Sequence, residues 1–166
     1  MNISILTTGG TIEKTYNERD GSLKNYHTIL PRMLTGLRLP DLDISHEQVV
    51  FKDSLEMTED DRQRVLAAAR RSLPISDAIV ILHGTDTMAE TGELLHGELP
   101  DIEIPIILTG AMRPYEFRDS DALQNVTESL LAARLVLPGV YVVMHNRVLR
   151  FPGVVKDRET LTFVEA

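Results

Sequence analysis

The sequence predicts an α/β domain of three layers, a mostly parallel sheet with helices on both faces. Three observations carry that reading. Ala78–Leu82 (AIVIL) and Ile104–Leu108 (IPIIL) are unbroken apolar runs, the pattern of strands covered on both faces. Strand-like runs alternate with helical stretches at the spacing of β-α-β units, whose crossovers are right-handed. The chain has 166 residues, which suits one domain able to bury its core without disulfides or metals.

Taken in order, Ile3–Thr7 is the first strand and runs into Thr7-Thr8-Gly9-Gly10-Thr11. Glu13 and Lys14 read as a solvated pair. Residues 17–27 (NERDGSLKNYH) are polar, with Gly21 at a turn, and read as a mobile excursion, part of a lid over residues 12–27. Gln48–Phe51 is a weaker strand. Thr58 with Asp61 three residues on is a capping pair, and Glu59, Asp60 and Asp61 suit the positive end of a helix that reaches about Ser72. AIVIL is followed by His83-Gly84-Thr85-Asp86-Thr87 and a helix from about Asp86 to His96. IPIIL is followed by Thr109-Gly110-Ala111-Met112-Arg113-Pro114 and a helix from about Asp119 to Leu135, with Ser120 or Asp121 as its cap. Val140–Met144 (VYVVM) is a further buried strand. Residues 146–166 alternate loosely and read as a hairpin or an edge extension. No internal repeat or low-complexity segment interrupts the scheme.

Composition narrows the function. The formal charge is −8 with acids and bases interspersed, so no basic face is available for nucleic acid. Cysteine is absent, which removes disulfides, a thiolate nucleophile and a cysteine zinc site, and fits a reducing cytoplasm. The opening MNISILTTGG has neither the basic start nor the apolar length of a signal peptide. No apolar run approaches the ~20 residues that span a bilayer. The five histidines show no metal-ligand spacing.

In an open parallel sheet, ligands bind beyond the carboxyl ends of the strands. Three polar clusters fall there: Thr7–Thr11, His83–Thr87 and Thr109–Pro114. The first two set glycine beside threonine, so backbone amides and hydroxyls can approach a ligand closely. Each has a plainer reading. TTGGT could be a phosphate-binding turn, although it lacks the G-x-G-x-x-G spacing and the G-K-[ST] lysine. Thr85 or Asp86 could simply cap the next helix. Arg113 and Arg118 read as organisers of their loop, Asp119 and Asp121 as helix caps, and Lys156 as a surface lysine.

The combination is more specific than its parts. TTGGTIE, HGTDTMAET, TGAMRP and the later V-V-K, in this order and at these spacings, resemble the bacterial-type L-asparaginase family. The resemblance covers essentially the whole chain and matches that family's N-terminal domain. It implies a flavodoxin-like fold, with residues 1–166 as one domain of that type and without the smaller C-terminal domain that usually follows. It implies an amidohydrolase that needs no cofactor and no metal, converts L-asparagine to L-aspartate and ammonia, and works as a cytoplasmic homo-oligomer, dimer or tetramer. A broader glutaminase–asparaginase, an amidase subunit feeding ammonia to a partner, and a non-catalytic module that binds acidic amino acids are the alternatives.

Residue by residue, the resemblance places Thr11 on the family's primary nucleophile and Thr85 on its second catalytic threonine. Asp86 falls on the carboxylate that holds the substrate's α-amino group, Lys156 on the lysine paired with Thr85 and Asp86, and Ser54 on the serine that contacts the α-carboxylate. Tyr16 is taken as the activator of Thr11, because short members carry a tyrosine five residues after the nucleophile; Tyr26 is its competitor. Leu55 stands where many full-length members have a substrate-binding glutamine. With the second domain's groups also missing, substrate capture is expected to be weaker, with a KM near or above ~1 mM.

This chemistry explains hydroxyls on a glycine hinge. An amide is a poor electrophile, and a hydroxyl nucleophile splits its hydrolysis into acylation and ester hydrolysis once a base takes the hydroxyl proton. Tyr16 would serve Thr11 and Lys156 would serve Thr85, while amides of the glycine turns receive the oxyanion. Which threonine is acylated first stays open at this level.

Overall fold

The computed structural model describes all of residues 1–166. Its main sheet contains β1 (Asn2–Gly9), β4 (Asp43–Lys52), β5 (Ala78–Leu82), β6 (Pro105–Thr109), β7 (Gly139–Met144) and β8 (Arg147–Arg150), in the order β4-β1-β5-β6-β7-β8. The first five are parallel, and β8 returns antiparallel along β7. Two small antiparallel ribbons stand apart: β2 (Thr15–Asn17) with β3 (Ser22–Lys24), and β9 (Val154–Asp157) with β10 (Thr162–Glu165).

The continuous apolar runs are central strands because both of their faces are covered. Alternation along β5 sends Ile79 and Ile81 to one side and Val80 and Leu82 to the other. On the first side they meet α2 (Glu59–Ser72) through Val65 and Leu66 and α3 (Met88–Glu98) through Met88 and Leu95. On the second side they meet α1 (Leu30–Thr35) through Leu30 and Met33 and α4 (Ala122–Ala132) through Ala122, Val126 and Leu130. Three layers result. No helix is long and apolar enough to cross a membrane.

The Thr58–Asp61 pair forms a full capping box: the Asp61 amide donates to the Thr58 hydroxyl and the Thr58 amide to the Asp61 carboxylate. Gln48–Phe51 proves to be the inner end of a longer strand, β4, whose outer half is exposed and polar. Residues 146–166 supply both an edge extension, β8, and a hairpin, β9–β10. The polar excursion after Thr15 is the β2–β3 hairpin, with Gly21 at positive φ in its turn. Helix α1 has no counterpart in the sequence reading; six residues are too few for a helical period to show.

Glu13 corrects the sequence reading. It is fully buried, in the 3-10 turn Thr11–Glu13, not solvated beside Lys14. One oxygen accepts the Thr28 hydroxyl at 2.5 Å, and the other has no partner. Burial raises its pKa above the ordinary value of 4.5. Lys14 instead pairs with Asp53 at 2.5 Å. The root of the expected lid is therefore fixed, with Ile12 and Glu13 both inside the core, and only the hairpin beyond Thr15 is exposed.

The capping box and the buried acid each have a measurable consequence for stability. Thr58→Ala removes the cap and should lower the unfolding free energy by about 1 kcal/mol, read from urea unfolding with an unchanged slope. Glu13 has a folded pKa above its unfolded one, so the stability it contributes is complete below about pH 4.5 and disappears as pH rises through the folded value. Glu13→Gln keeps an acceptor for Thr28 without the titration. Its thermal midpoint relative to the parent should be flat at acid pH and climb from pH 4.5 upward until the folded carboxyl ionises; a constant offset across pH would show that Glu13 is not a buried acid.

Candidate active site

The site is made by loops that leave the carboxyl ends of β1, β4 and β5, which are neighbours in the sheet. Their backbones touch. A Cβ placed on Gly10 would lie 2.5 Å from both Cα and N of Gly84, and one on Gly84 would lie 2.5 Å from Cβ and Oγ of Ser54. Glycine at both positions lets three loops close on one crevice. Gly10 also holds φ +74°, a conformation that side-chain-bearing residues avoid. Thr11 follows Gly10 and Thr85 follows Gly84, so the contact brings the two threonine loops and Ser54 together.

The Thr11 turn closes through its backbone, Glu13 N donating to Gly10 O at 3.2 Å and Lys14 N to Thr11 O at 3.1 Å. Its geometry does not depend on the Thr11 hydroxyl. The Gly10 amide donates to Lys52 O at 2.8 Å and Asn25 Nδ2 donates to Gly10 O at 2.9 Å, tying the turn to β4 and to the hairpin segment.

Around Thr85 the polar groups converge. Lys156 Nζ, presented by β9, donates to Thr85 Oγ1 at 2.8 Å and to Asp86 Oδ1 at 2.8 Å, with only 13% of its side chain exposed. The Thr85 hydroxyl in turn points its hydrogen toward Met112 Sδ at 3.7 Å. Neither Thr85 nor Asp86 caps α3. The cap position is Thr87, whose hydroxyl donates to Ser54 O at 2.9 Å. The capping explanation for these two residues therefore fails, and so does the reading of Lys156 as a surface lysine.

His83 holds this loop from beneath. Gly84 O can only accept, so His83 Nδ1 donates to it, at 2.8 Å, and Nε2 accepts from the Thr91 hydroxyl at 2.9 Å. Burial lowers the His83 pKa from 6.5 to about 4, so the ring stays neutral and this pattern persists at physiological pH.

The tyrosines stand elsewhere. Alternation in β2 turns Thr15 inward and Tyr16 outward, leaving Tyr16 58% exposed. Its phenol oxygen lies over the hairpin's own turn, 3.9 Å from where a Gly21 Cβ would be. Tyr26 bonds Ser22 within the same hairpin. Neither phenol hydrogen-bonds Thr11. Leu55 is 69% exposed.

Two neighbours escaped the sequence reading, and a third, Asp121, reads there only as a helix cap. Met112 receives the Thr85 hydroxyl. Arg158 Nη1 lies 3.9 Å from Asp86 Oδ1, a second cation on that carboxylate. Asp121 occupies the cap position of α4 but makes no cap bond; its carboxylate accepts the amides of Met112 and Arg113 instead. Among these, only Met112 had any signal, through its place in the TGAMRP motif. Arg113 pairs with Asp119, so Arg113 organises its own loop as expected, while Asp119 is an ion-pair partner on that loop and not the helix cap that the sequence predicts, because α4 starts only at Ala122.

Residues 2–161 match the family model described as asparaginase, N-terminal. The chain is 32% identical to an L-asparaginase of Thermococcus kodakarensis over 154 residues, 90% of this chain and 45% of that protein. It is 33% identical over 156 residues to a glutamyl-tRNA(Gln) amidotransferase component from Methanococcus vannielii, covering 89% of this chain and 35% of the other. The solved structure of the thermostable L-asparaginase from Thermococcus kodakarensis superposes with a TM-score of 0.89 at 30% identity, over 99% of this chain and 51% of that one. The chain thus spans about half the length of these relatives or less, and within that span it belongs to the asparaginase family, over the family's N-terminal domain.

Proposed function

We propose that this protein hydrolyses the side-chain amide of L-asparagine to L-aspartate and ammonia through a threonine nucleophile, in the cytoplasm and as a homo-oligomer. The observation that carries the reading is Lys156 Nζ at 2.8 Å from both Thr85 Oγ1 and Asp86 Oδ1, beside a crevice whose glycine turns also present Thr11 and Ser54.

In this reading a threonine oxygen attacks the amide carbon and the C–N bond breaks. The nitrogen leaves as ammonia after gaining a proton, and water then cleaves the threonyl ester to release aspartate and restore the hydroxyl. Lys156 is within proton-transfer reach of Thr85. The oxyanion is received by amides of the glycine turns other than that of Gly10, which Lys52 O already engages. Ser54 takes the substrate's α-carboxylate. Lys156 and Arg158 both approach Asp86 Oδ1, leaving Oδ2 for the α-ammonium. Closure of the β2–β3 hairpin about its fixed root would deliver Tyr16 to Thr11.

The likeness to an amidotransferase component favours a second reading, an amidase that passes ammonia to a partner. Ammonia release by the purified protein from asparagine, glutamine and amino-blocked asparagine separates the two. Release from free asparagine alone supports the first, and release only with an amidotransferase partner supports the second.

Thr11→Val, Thr85→Val and Lys156→Met should each lower kcat/KM by more than tenfold, a loss above ~1.4 kcal/mol in transition-state stabilisation, with unchanged circular dichroism. A variant that keeps more than a tenth of the activity removes that residue from the mechanism. Tyr16→Phe should lose activity where Tyr26→Phe does not, and amides of residues 15–24 should exchange more slowly with aspartate bound.

A further inference from the structure

Beyond the Thr85 cluster, the polar side chains gather around Asp121. Its carboxylate accepts Met112 N at 3.0 Å, Arg113 N at 3.0 Å, Asn125 Nδ2 at 2.9 Å and His145 Nε2 at 2.7 Å. Burial opposes the charge on this carboxyl, but the Met112 amide, His145 and the Arg113 amide hold its pKa below the ordinary value. A carboxylate only accepts, so His145 Nε2 carries a hydrogen and donates to Asp121, and His145 Nδ1 hydrogen-bonds the Thr162 hydroxyl at 3.1 Å.

From Asp121 two arms reach Thr85. One is the Met112 residue itself, with its amide on Asp121 and its sulfur on the Thr85 hydroxyl. The other runs through His145 to Thr162 in β10. There Phe163, the next residue, pairs with Lys156 across the ribbon, and Lys156 bonds Thr85. The β9–β10 ribbon is no part of the main sheet, so sheet hydrogen bonds do not fix its place. It is seated by buried Val154 and Phe163, by Glu93 on the Gly153 amide, by Arg147 on Phe163 O and by His145 on Thr162. His145 alone of these ties the ribbon to the loop that carries Met112.

The backbone singles out the same residue. His145 and Asn146 both hold positive φ, 54° and 60°, in the two-residue turn from β7 to β8. Such turns favour asparagine or glycine in both central positions. Histidine is among the few side chains enriched in the left-handed region, so the turn admits His145, and its contacts to Asp121 and Thr162 give the side chain its direction.

We propose that His145 is a positioning residue for the Thr85–Lys156 pair: by joining Asp121 to Thr162 it locks the β9–β10 ribbon to the Met112 loop and so holds the Lys156 amine on the Thr85 hydroxyl. The proposal rests on the hydrolase reading for its kinetic consequence but not for its structural one.

The test uses His145→Asn, which suits the left-handed turn and is too short to join both partners. The thermal midpoint should hold or rise, while kcat for asparagine falls at least about tenfold and KM changes by less than about twofold. His145→Gly should regain activity with added imidazole, since 26% of the His145 side chain is open to solvent. Thr162→Val, which removes the hydroxyl at nearly constant volume, should lose kcat in the same way. A readout free of turnover is the Lys156 side-chain methylene resonance, assigned by its loss in Lys156→Met; in His145→Asn it should move to the position of the exposed lysines. Full kcat and an unmoved Lys156 resonance in His145→Asn would overturn the proposal. A parent protein with no amide hydrolysis would instead defeat the functional reading, and the resonance would still decide the role of His145.

Discussion

The contact of Gly10 with Gly84, and of Gly84 with Ser54, is the constraint on which the site depends. Three loops can share one crevice only if their backbones approach to van der Waals distance, and any Cβ in the gap would separate them. The strand order β4-β1-β5 makes the loops neighbours, and parallel strands put all three at the same edge of the sheet. The fold thus decides at which edge the three loops gather, and the glycines decide how tightly they converge.

Convergence concentrates polar groups in low-dielectric surroundings, and nearly every one of them is matched. Lys156 answers Asp86, His145 answers Asp121, Lys52 answers Asp61, and His83 stays neutral between Gly84 O and Thr91. The exceptions are Arg62, whose Nε has no partner, and Glu13, an acid buried with one oxygen unpaired in the threonine turn. A buried charge left alone is costly, so the group keeps its proton more tightly than an exposed glutamate. The matched groups make orientation rigid, because each side chain has its direction set by a partner on another element.

Much of this was readable in the chain. AIVIL and IPIIL announced central strands because only two-sided burial supports unbroken apolar runs, and Thr58–Asp61 announced a helix start because capping is local chemistry. The motifs put forward Thr11, Ser54, Thr85, Asp86 and Lys156 as candidates, and the structure brings Thr85, Asp86 and Lys156 into hydrogen-bond contact. What escaped was set by distant contacts. Glu13 is a charged residue beside a lysine, and nothing near it in sequence shows that Thr28 closes over it. Asp121 resembles a cap because its partners, Met112, Arg113 and His145, are 8 to 24 residues away. The outward turn of Tyr16 follows from strand alternation in a three-residue strand, too short to be recognised beforehand.

The site is assembled from positions spread along almost the whole chain, and this bears on synthesis. A ribosome delivers β1, β4 and β5, with both threonines and Asp86, long before it delivers β9 with Lys156. Until then the Asp86 carboxylate has no lysine and the Thr85 hydroxyl no amine donor. A nascent chain can therefore complete most of its sheet before Lys156 reaches Thr85 and Asp86, and a ribbon made late closes on loops made early.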